Sequence, residues 1–263
     1  MEFHKTAKRV NNKRKFGGRI EFRNKSLNKD GGEMSLFAIS DLHLSLNGDK
    51  PMDIFGDRWE QHHLRLKEHW EGLVDDDDTV IIGGDISWAL RLEETELDFQ
   101  FIHGLPGRKV LFKGNHDYWW QSYAKVMKSL PPSICAVQNN YCVYEGHIAI
   151  CGTRGWNVPG STNFSEQDDR VYRRELIRLE LSLSMAKKDG FGQTVAVLHY
   201  PPFGPALEDS EFVSVLHKYD VKICLYGHLH GEDHCRAFNG ERDGVTYYFT
   251  ASDYLNFHPL QIL

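Results

Sequence analysis

The chain has 263 residues, 41% of them hydrophobic and 12% aromatic, and a formal net charge of −6. That is enough apolar material for one large core, and no stretch approaches the roughly 20 uninterrupted apolar residues of a membrane span. The charge is uneven: residues 1–33 hold ten Lys/Arg against four Asp/Glu, and the rest hold 21 against 33, an acidic body that disfavours general nucleic-acid binding while leaving a nuclease open.

Residues 1–33 are polar, basic and without periodicity, and they lack the apolar core of a secretory signal. The composition predicts a disordered leader, with a basic arm for an anionic partner as the alternative. Gly31-Gly32-Glu33 directly precedes Met34. Codons for those residues are purine-rich in the manner of a bacterial ribosome-binding site. The expectation is that Met34 is the natural start and that the leader is not native. The five cysteines (135, 142, 151, 224 and 235) form no CxxC pair, and four sit among apolar residues. Free thiols in a reducing cytoplasm fit this better than a secreted disulfide scaffold.

From Met34 onward short apolar runs alternate with helical stretches, and no linker divides 34–263. Residues 36–40 predict a strand. Residues 58–74 predict a helix, with Trp59, His62, Leu66, Trp70 and Leu73 at spacings of three or four. The acidic run 75–78 reads as a solvated loop, because a calcium loop would space its ligands around a Gly turn. A strand at 79–83, a helix at 92–103, a strand at 109–113 and a helix at 118–130 follow, the last stopped by Pro131-Pro132. Residues 141–144 and 147–151 flank Glu145-Gly146 as a hairpin. Residues 167–188 form a long amphipathic helix. Strands at 194–198 and 222–226 enclose a helix near 210–219. Residues 235–238 and 245–250 flank Asn239-Gly240 as a late antiparallel pair. The order predicts an α/β sandwich with mixed sheets.

Five apolar runs each end in metal-type ligands: Asp41-Leu42-His43, Gly84-Asp85, Gly114-Asn115-His116-Asp117, His199, and Gly227-His228-Leu229-His230. Ligands of α/β sheets bind beyond the carboxyl ends of strands, so five such ends can share one crevice. One intervening residue separates Asp41 from His43 and His228 from His230, which in extended backbone turns each pair to one face. Glycines 84, 114 and 227 leave room for close approach. Carboxylate with imidazole suits transition metals, Fe, Mn or Zn, better than Mg or Ca.

This ordered set resembles the calcineurin-like metallophosphoesterase superfamily over Asp41 to His230, and the stretch His199-Tyr200-Pro201-Pro202 also resembles small bacterial phosphohydrolases. The resemblance implies a four-layered α/β/β/α sandwich with two central mixed β-sheets. It implies two metal ions: Asp41, His43, Asp85 and His230 holding the first, and Asn115, His199 and His228 completing the second, with Asp85 as the bridge. His116 would be the catalytic histidine. A metal-bridging hydroxide would attack the phosphorus of a phosphate ester, and His116 would donate to the phosphate or leaving group. Asp117 is expected to hold its loop.

Departures narrow the branch. The Asp-Arg-Gly of the serine/threonine protein phosphatases is missing after Gly84-Asp85. Trp88 stands where purple acid phosphatases place a metal-binding Tyr. His199-Tyr200-Pro201-Pro202 resembles bacterial phosphodiesterases of the cyclic-nucleotide type, so a diesterase acting on cyclic nucleotides or nucleic acid remains the alternative. A non-catalytic metal-binding scaffold is the rival of another class, but every ligand position is filled. Arg154 is a candidate phosphate clamp and Trp156 a candidate stacking platform; against this stands a surface ion pair for Arg154 and packing under the following loop for Trp156. His234 is a candidate supporting residue. His62, His63, His69, His103, His147, His217 and His258 carry no ligand context. Substrate identity and oligomeric state are not encoded in these patterns.

Overall fold

Runs of Val, Ile and Leu three to six residues long form the central strands, and their alternate side chains are buried on two faces. The computed structural model describes residues 13–16, 18–22, 34–48 and 50–263. In chain order its strands are β1 (Lys13–Phe16), β2 (Arg19–Phe22), β3 (Leu36–Ile39), β4 (Thr79–Ile82), β5 (Arg108–Leu111), β6 (Ile134–Ala136), β7 (Tyr141–Tyr144), β8 (Ile148–Thr153), β9 (Gln193–Leu198), β10 (Ile223–Tyr226), β11 (Gly240–Arg242), β12 (Val245–Phe249) and β13 (Leu260–Gln261). The helices are α1 (His62–Leu73), α2 (Glu96–Gly104), α3 (Tyr123–Ser129), α4 (Glu166–Lys188) and α5 (Glu211–Lys218).

Two mixed sheets result. The smaller has the order β13-β3-β4-β5-β6, and the larger β1-β2-β7-β8-β9-β10-β12-β11. Period-two alternation assigns each face of the larger sheet. Ile148, Ile150, Val195, Val197 and Leu225 join one core with the smaller sheet and residues of α1, α2 and α3. Ala149, Cys151, Ala196, Leu198, Cys224 and Tyr226 join a second core with α4 and α5. Each fully buried aliphatic side chain contributes about 1.5–3 kcal/mol. This is the expected α/β/β/α layering.

The long helix α4 begins at a capping box. Ser165 Oγ accepts from the Asp168 N–H (3.3 Å), and Asp168 Oδ2 accepts from the Ser165 N–H (3.0 Å). Lys187 and Lys188 stand in its last turn, where cations favour the helix dipole.

The structure departs from the sequence reading at several places. Within the expected leader, β1 and β2 pair antiparallel, and β2 adds parallel to β7. Ile20, 2% exposed, joins the core; the alternation Arg19-Ile20-Glu21 was hidden by the basic composition around it. The remainder of the leader lies outside the described residues. The helix expected from residue 58 starts at His62, because Gln61 turns left-handed (φ 45°) after a short 3-10 turn. The helix expected from 118 starts at Tyr123, because Trp119 and Trp120 are buried and donate their indole N–H groups to Asp117 Oδ1 (3.0 Å) and Gln138 Oε1 (3.0 Å). Asp78 is buried rather than solvated and accepts from the Ser35 and Asp75 N–H groups (2.7 and 2.8 Å). The late pair is β11 with β12, and its partners Arg242 and Val245 close around Asp243-Gly244 rather than Asn239-Gly240. Most consequentially, β12 also runs parallel to β10, so its carboxyl end opens on the same side as the others.

The sheets meet at those carboxyl ends. Ser40 and Ala251 form a parallel bridge between them, with the Ser40 N–H donating to Thr250 O (2.8 Å) and the Ser252 N–H to Ser40 O (3.0 Å).

Candidate metal centre

The loop after β3 begins with Asp41. Its Oδ2 accepts from Ser40 Oγ (2.6 Å) and from the His228 N–H (3.0 Å). Its Oδ1 is buried and has no hydrogen-bond partner, lying 3.4 Å from His230 Nε2 and 3.8 Å from His199 Nδ1. Gly227 makes that anchoring possible: a Cβ there would lie 2.1 Å from Ser40 Oγ and 2.2 Å from Asp41 Oδ2. Asp85, after β4, is arranged alike. Its Oδ1 accepts from the His116 N–H (2.8 Å), while Oδ2 lies 3.7 Å from His43 Nε2 and 3.4 Å from His199 Nε2. A Cβ on Gly114 would stand 2.1 Å from Asp85 Oδ1.

His43 Nε2 and His230 Nε2 face each other at 3.3 Å. His199 Nε2 lies 2.8 Å from Asn115 Oδ1, and its Nδ1 lies 3.2 Å from Gly83 O. The His228 ring stands beside His199, centroids 5.1 Å apart, and packs on Tyr200 at 3.9 Å. All seven expected ligands and His116 thus gather at the junction of the two sheets. Donor atoms of Asp41, His43 and His230 lie within 4.8 Å of one another, as do those of Asp41, Asp85 and His199.

Asp41 and His43 are not brought to one side by extended backbone. Both are left-handed (φ 60° and 45°), as are Asp85 (50°) and His228 (75°). Non-glycine residues adopt that region at a cost of order 1–3 kcal/mol, and such strain concentrates at functional sites. Convergence here comes from sharp turns.

Burial alone would neutralise the two carboxylates. For Asp41 the facing His199 and His230 outweigh burial and hold the carboxyl below its usual range. His199 and His43 likewise bring Asp85 to about 2 against its burial. Burial pulls His199 and His230 down, but Asp85 and Asp41 raise His199 to about 9, and Asp253 and Asp41 raise His230 to about 10. Burial lowers His43 to about 4 and, with repulsion from His199, His228 to about 3. Protons on His199 and His230 therefore fill the role a bound cation would take. The set fits metal: a bare buried carboxylate oxygen, two imidazole nitrogens nose to nose, and mixed N/O donors.

Asp253 was not singled out by sequence. It is buried, its Oδ1 lies 2.9 Å from His230 Nδ1, and its Oδ2 accepts from the Gly231 N–H (3.2 Å). Holding Nδ1 leaves Nε2 of His230 to face Asp41 and His43, the usual carboxylate–histidine support of a metal ligand. The sequence signal was a sixth strand end, masked by reading β12 as purely antiparallel. His234 Nε2 lies 3.1 Å from Asp253 Oδ2 without forming a hydrogen bond.

His116 is half-buried, its ring 4.5 Å from Trp88 and 5.7 Å from His43. Burial lowers its pKa against the pull of Asp85. Asp117 ties its loop together: Oδ1 accepts from the Ile86 and Ser87 N–H groups (2.9 and 3.3 Å) and Oδ2 from Gly114 (2.7 Å).

Two clefts flank the centre. One, of about 240 Å³, is lined by His228, Tyr200, Trp156, Asn157, Asp233 and Arg236 among others. The other, of about 730 Å³, opens on His43, His116 and His230. Trp156 lines the first, with its indole N–H donating to Asp168 Oδ1 (2.9 Å). Arg154 lines neither. Its guanidinium sits 4.3 Å from the Trp156 ring and 3.6 Å from the buried Glu175, while its carbonyl accepts from the His199 and Tyr200 N–H groups (2.9 and 3.0 Å).

The fold is that of known proteins. Phosphopantetheinyl hydrolase from Mycobacterium tuberculosis superposes with a TM-score of 0.55 at 16% identity, covering 88% of this chain and 96% of that one. A protein of unknown function from Aquifex aeolicus gives a TM-score of 0.47 at 15% identity, over 87% and 96% of the two chains. The Gene 66 protein of Mycobacterium phage L5 is 37% identical over 78 residues, which span 30% of this chain and 37% of the phage protein. The profile of the calcineurin-like phosphoesterases matches residues 34–232, and with that match the chain belongs to this family of metal-dependent phosphoester hydrolases.

Proposed function

We propose that the chain hydrolyses a phosphate ester at a two-ion centre, with Asp41, His43, Asp85 and His230 around one ion and Asp85, Asn115, His199 and His228 around the other. The observation that carries this reading is Asp85 Oδ2, which lies within 3.7 Å of His43 Nε2 and 3.4 Å of His199 Nε2 and so faces both donor groups. Two divalent cations there, Fe, Mn or Zn, would supply charge for the phosphate and lower the pKa of water from 15.7 to about 7. The residues provide the rest. Anchored carboxylates keep their free oxygens inward. The His116 ring, kept neutral by burial, offers an N–H to the leaving oxygen or the phosphate, worth on the order of 10²-fold. Trp156 and Tyr200 flank His228 as platforms for one side of the substrate, and Arg154 buttresses Trp156.

The site residues all lie within 34–263, and the five free cysteines, four of them buried, favour a reducing cytoplasm. A diesterase is the second reading, favoured by clefts on both sides of the centre, which could house both ester substituents. The test is turnover of para-nitrophenyl phosphate and its bis-ester after chelation and reloading with Mn, Fe, Zn or Co. Metal-restored hydrolysis is expected, and faster cleavage of the bis-ester would select the second reading. Silence with every metal on both esters would overturn the proposal.

A further inference from the structure

The two clefts differ in chemistry. Asn157, Ser161, Thr162, Asp233 and Arg236 bring polar groups to the cleft beside His228. The larger cleft is lined on one side by Met52, Phe55, Trp59 and Trp88 and on the other by Arg58, Glu232, His234 and Asp253, with the imidazoles of His43, His116 and His230 between them. Its volume of about 730 Å³ lies within the range of pockets that enclose a whole small ligand, about 300–1,000 Å³.

Its outer wall is made of two 3-10 turns, Met52–Phe55 and Asp57–Trp59, joined at Gly56 with φ 109°, a conformation glycine adopts without strain. Trp88 is fixed against this wall. Its indole N–H donates to Met52 Sδ (2.9 Å), and its ring stacks on His43 with centroids 5.0 Å apart. Met52, Trp59 and Trp88 therefore bring hydrocarbon and ring surface to within one ring of His116. At the mouth Phe55 is 62% exposed, a large apolar side chain held in water beside a concave apolar wall. Cations stand at the rim: Lys50 Nζ lies 4.8 Å from the Trp88 ring, and Arg58 Nη1 donates to Asp253 O (3.3 Å).

Resting on the phosphoesterase reading, in which His116 meets the leaving oxygen, we propose that this cleft receives the leaving alcohol and that the preferred substrate is a phosphate ester of an alcohol with an apolar arm. Against Met52, Phe55, Trp59 and Trp88 a methylene chain gains by leaving water, whereas a hydroxyl of a sugar or nucleoside set there would lose its hydrogen bonds to water. The reaction is ordinary hydrolysis. Water oxygen bonds to phosphorus, the P–O bond to the alcohol breaks, the alcohol oxygen takes a proton, and inorganic phosphate remains.

The experiment uses two homologous series, ethyl to decyl, on the full chain below micelle-forming concentrations. n-Alkyl phosphonates are titrated calorimetrically into metal-loaded and chelated protein, and n-alkyl phosphates are assayed for kcat/KM. Burial of each methylene predicts tighter binding and faster capture by about fourfold until the cleft is filled. Phe55→Asp should cut the decyl-to-ethyl ratio at least about tenfold in both series. A flat series in the wild type with short esters still hydrolysed would overturn the cleft assignment alone, as would a slope that Phe55→Asp leaves intact. A slope in phosphonate binding with no ester hydrolysed under any metal would overturn the phosphoesterase reading alone and uphold the cleft.

Discussion

The smaller sheet brings the inward-facing carboxylates to the centre and the larger sheet three of its five imidazoles. Strands β3 and β4 deliver the carboxylates of Asp41 and Asp85, each with one oxygen tied by an N–H and the other left facing inward, and the loops after β3 and β5 add His43, Asn115 and His116. Strands β9, β10 and β12 deliver the imidazoles of His199, His228 and His230 and the Asp253 that holds one of them. The carboxylates of the first half are held ionised chiefly by His199 and His230 of the second, with His43 helping at Asp85. The lesson is that the site is a product of how the sheets dock, with His199 and His230 protons standing in where a cation can bind.

Removing the shared charge should break this pairing most severely. Asp85→Asn is expected to lower metal content at both ion positions and turnover on the order of 10³-fold, since several kcal/mol of transition-state stabilisation depend on it; elemental analysis beside a steady-state assay reads both. If one position kept full occupancy, Asp85 would serve a single half. His116→Ala touches neither half of the ligand set. It should keep its metal and lose about 10²-fold in kcat on esters with poor leaving groups. Full activity on such esters would remove His116 from the chemistry. Asp253→Asn touches the ion through His230 rather than directly. Competition with a chelator should show metal affinity weakened about 10–100-fold, and an unchanged affinity would reduce Asp253 to a packing residue.

The mildest probe is pH. His199 and His230 are raised to about 9 and about 10 in the ion-free chain, so both carry protons at neutral pH that a metal must displace. Calorimetry in buffers of different ionisation enthalpy should detect proton release on metal binding, and affinity should fall as pH drops below 9. Raised folded-state values also stabilise the ion-free fold fully below the unfolded value of about 6.5. That contribution should disappear as pH rises through 9 to 10. A melting temperature that instead rose across this window would contradict the charge pairing.

Much of the centre was legible because its evidence is local. An apolar run followed by Asp41-Leu42-His43 or Gly114-Asn115-His116 reveals both a strand and what it presents. Evidence that depends on pairing was not legible. Asp253 stayed hidden because nothing in Val245–Phe249 tells a parallel neighbour from an antiparallel one. The left-handed turns at Asp41 and His43 were missed because neither residue type advertises them as glycine does. Helix starts failed where single contacts override periodicity, as at Gln61 and at Trp119 and Trp120. Arg154 looked available for a phosphate, yet its guanidinium lies 3.6 Å from the buried Glu175, a partner 21 positions further along the chain that local sequence does not announce.

The most direct test of the account is anomalous diffraction from metal-reloaded crystals, collected at the absorption edge of the added ion. Two peaks flanking Asp85 Oδ2, one ringed by His43 and His230 and the other by Asn115 and His199, are the expected result. A single peak, or density away from Asp85, would contradict a centre shared between the sheets.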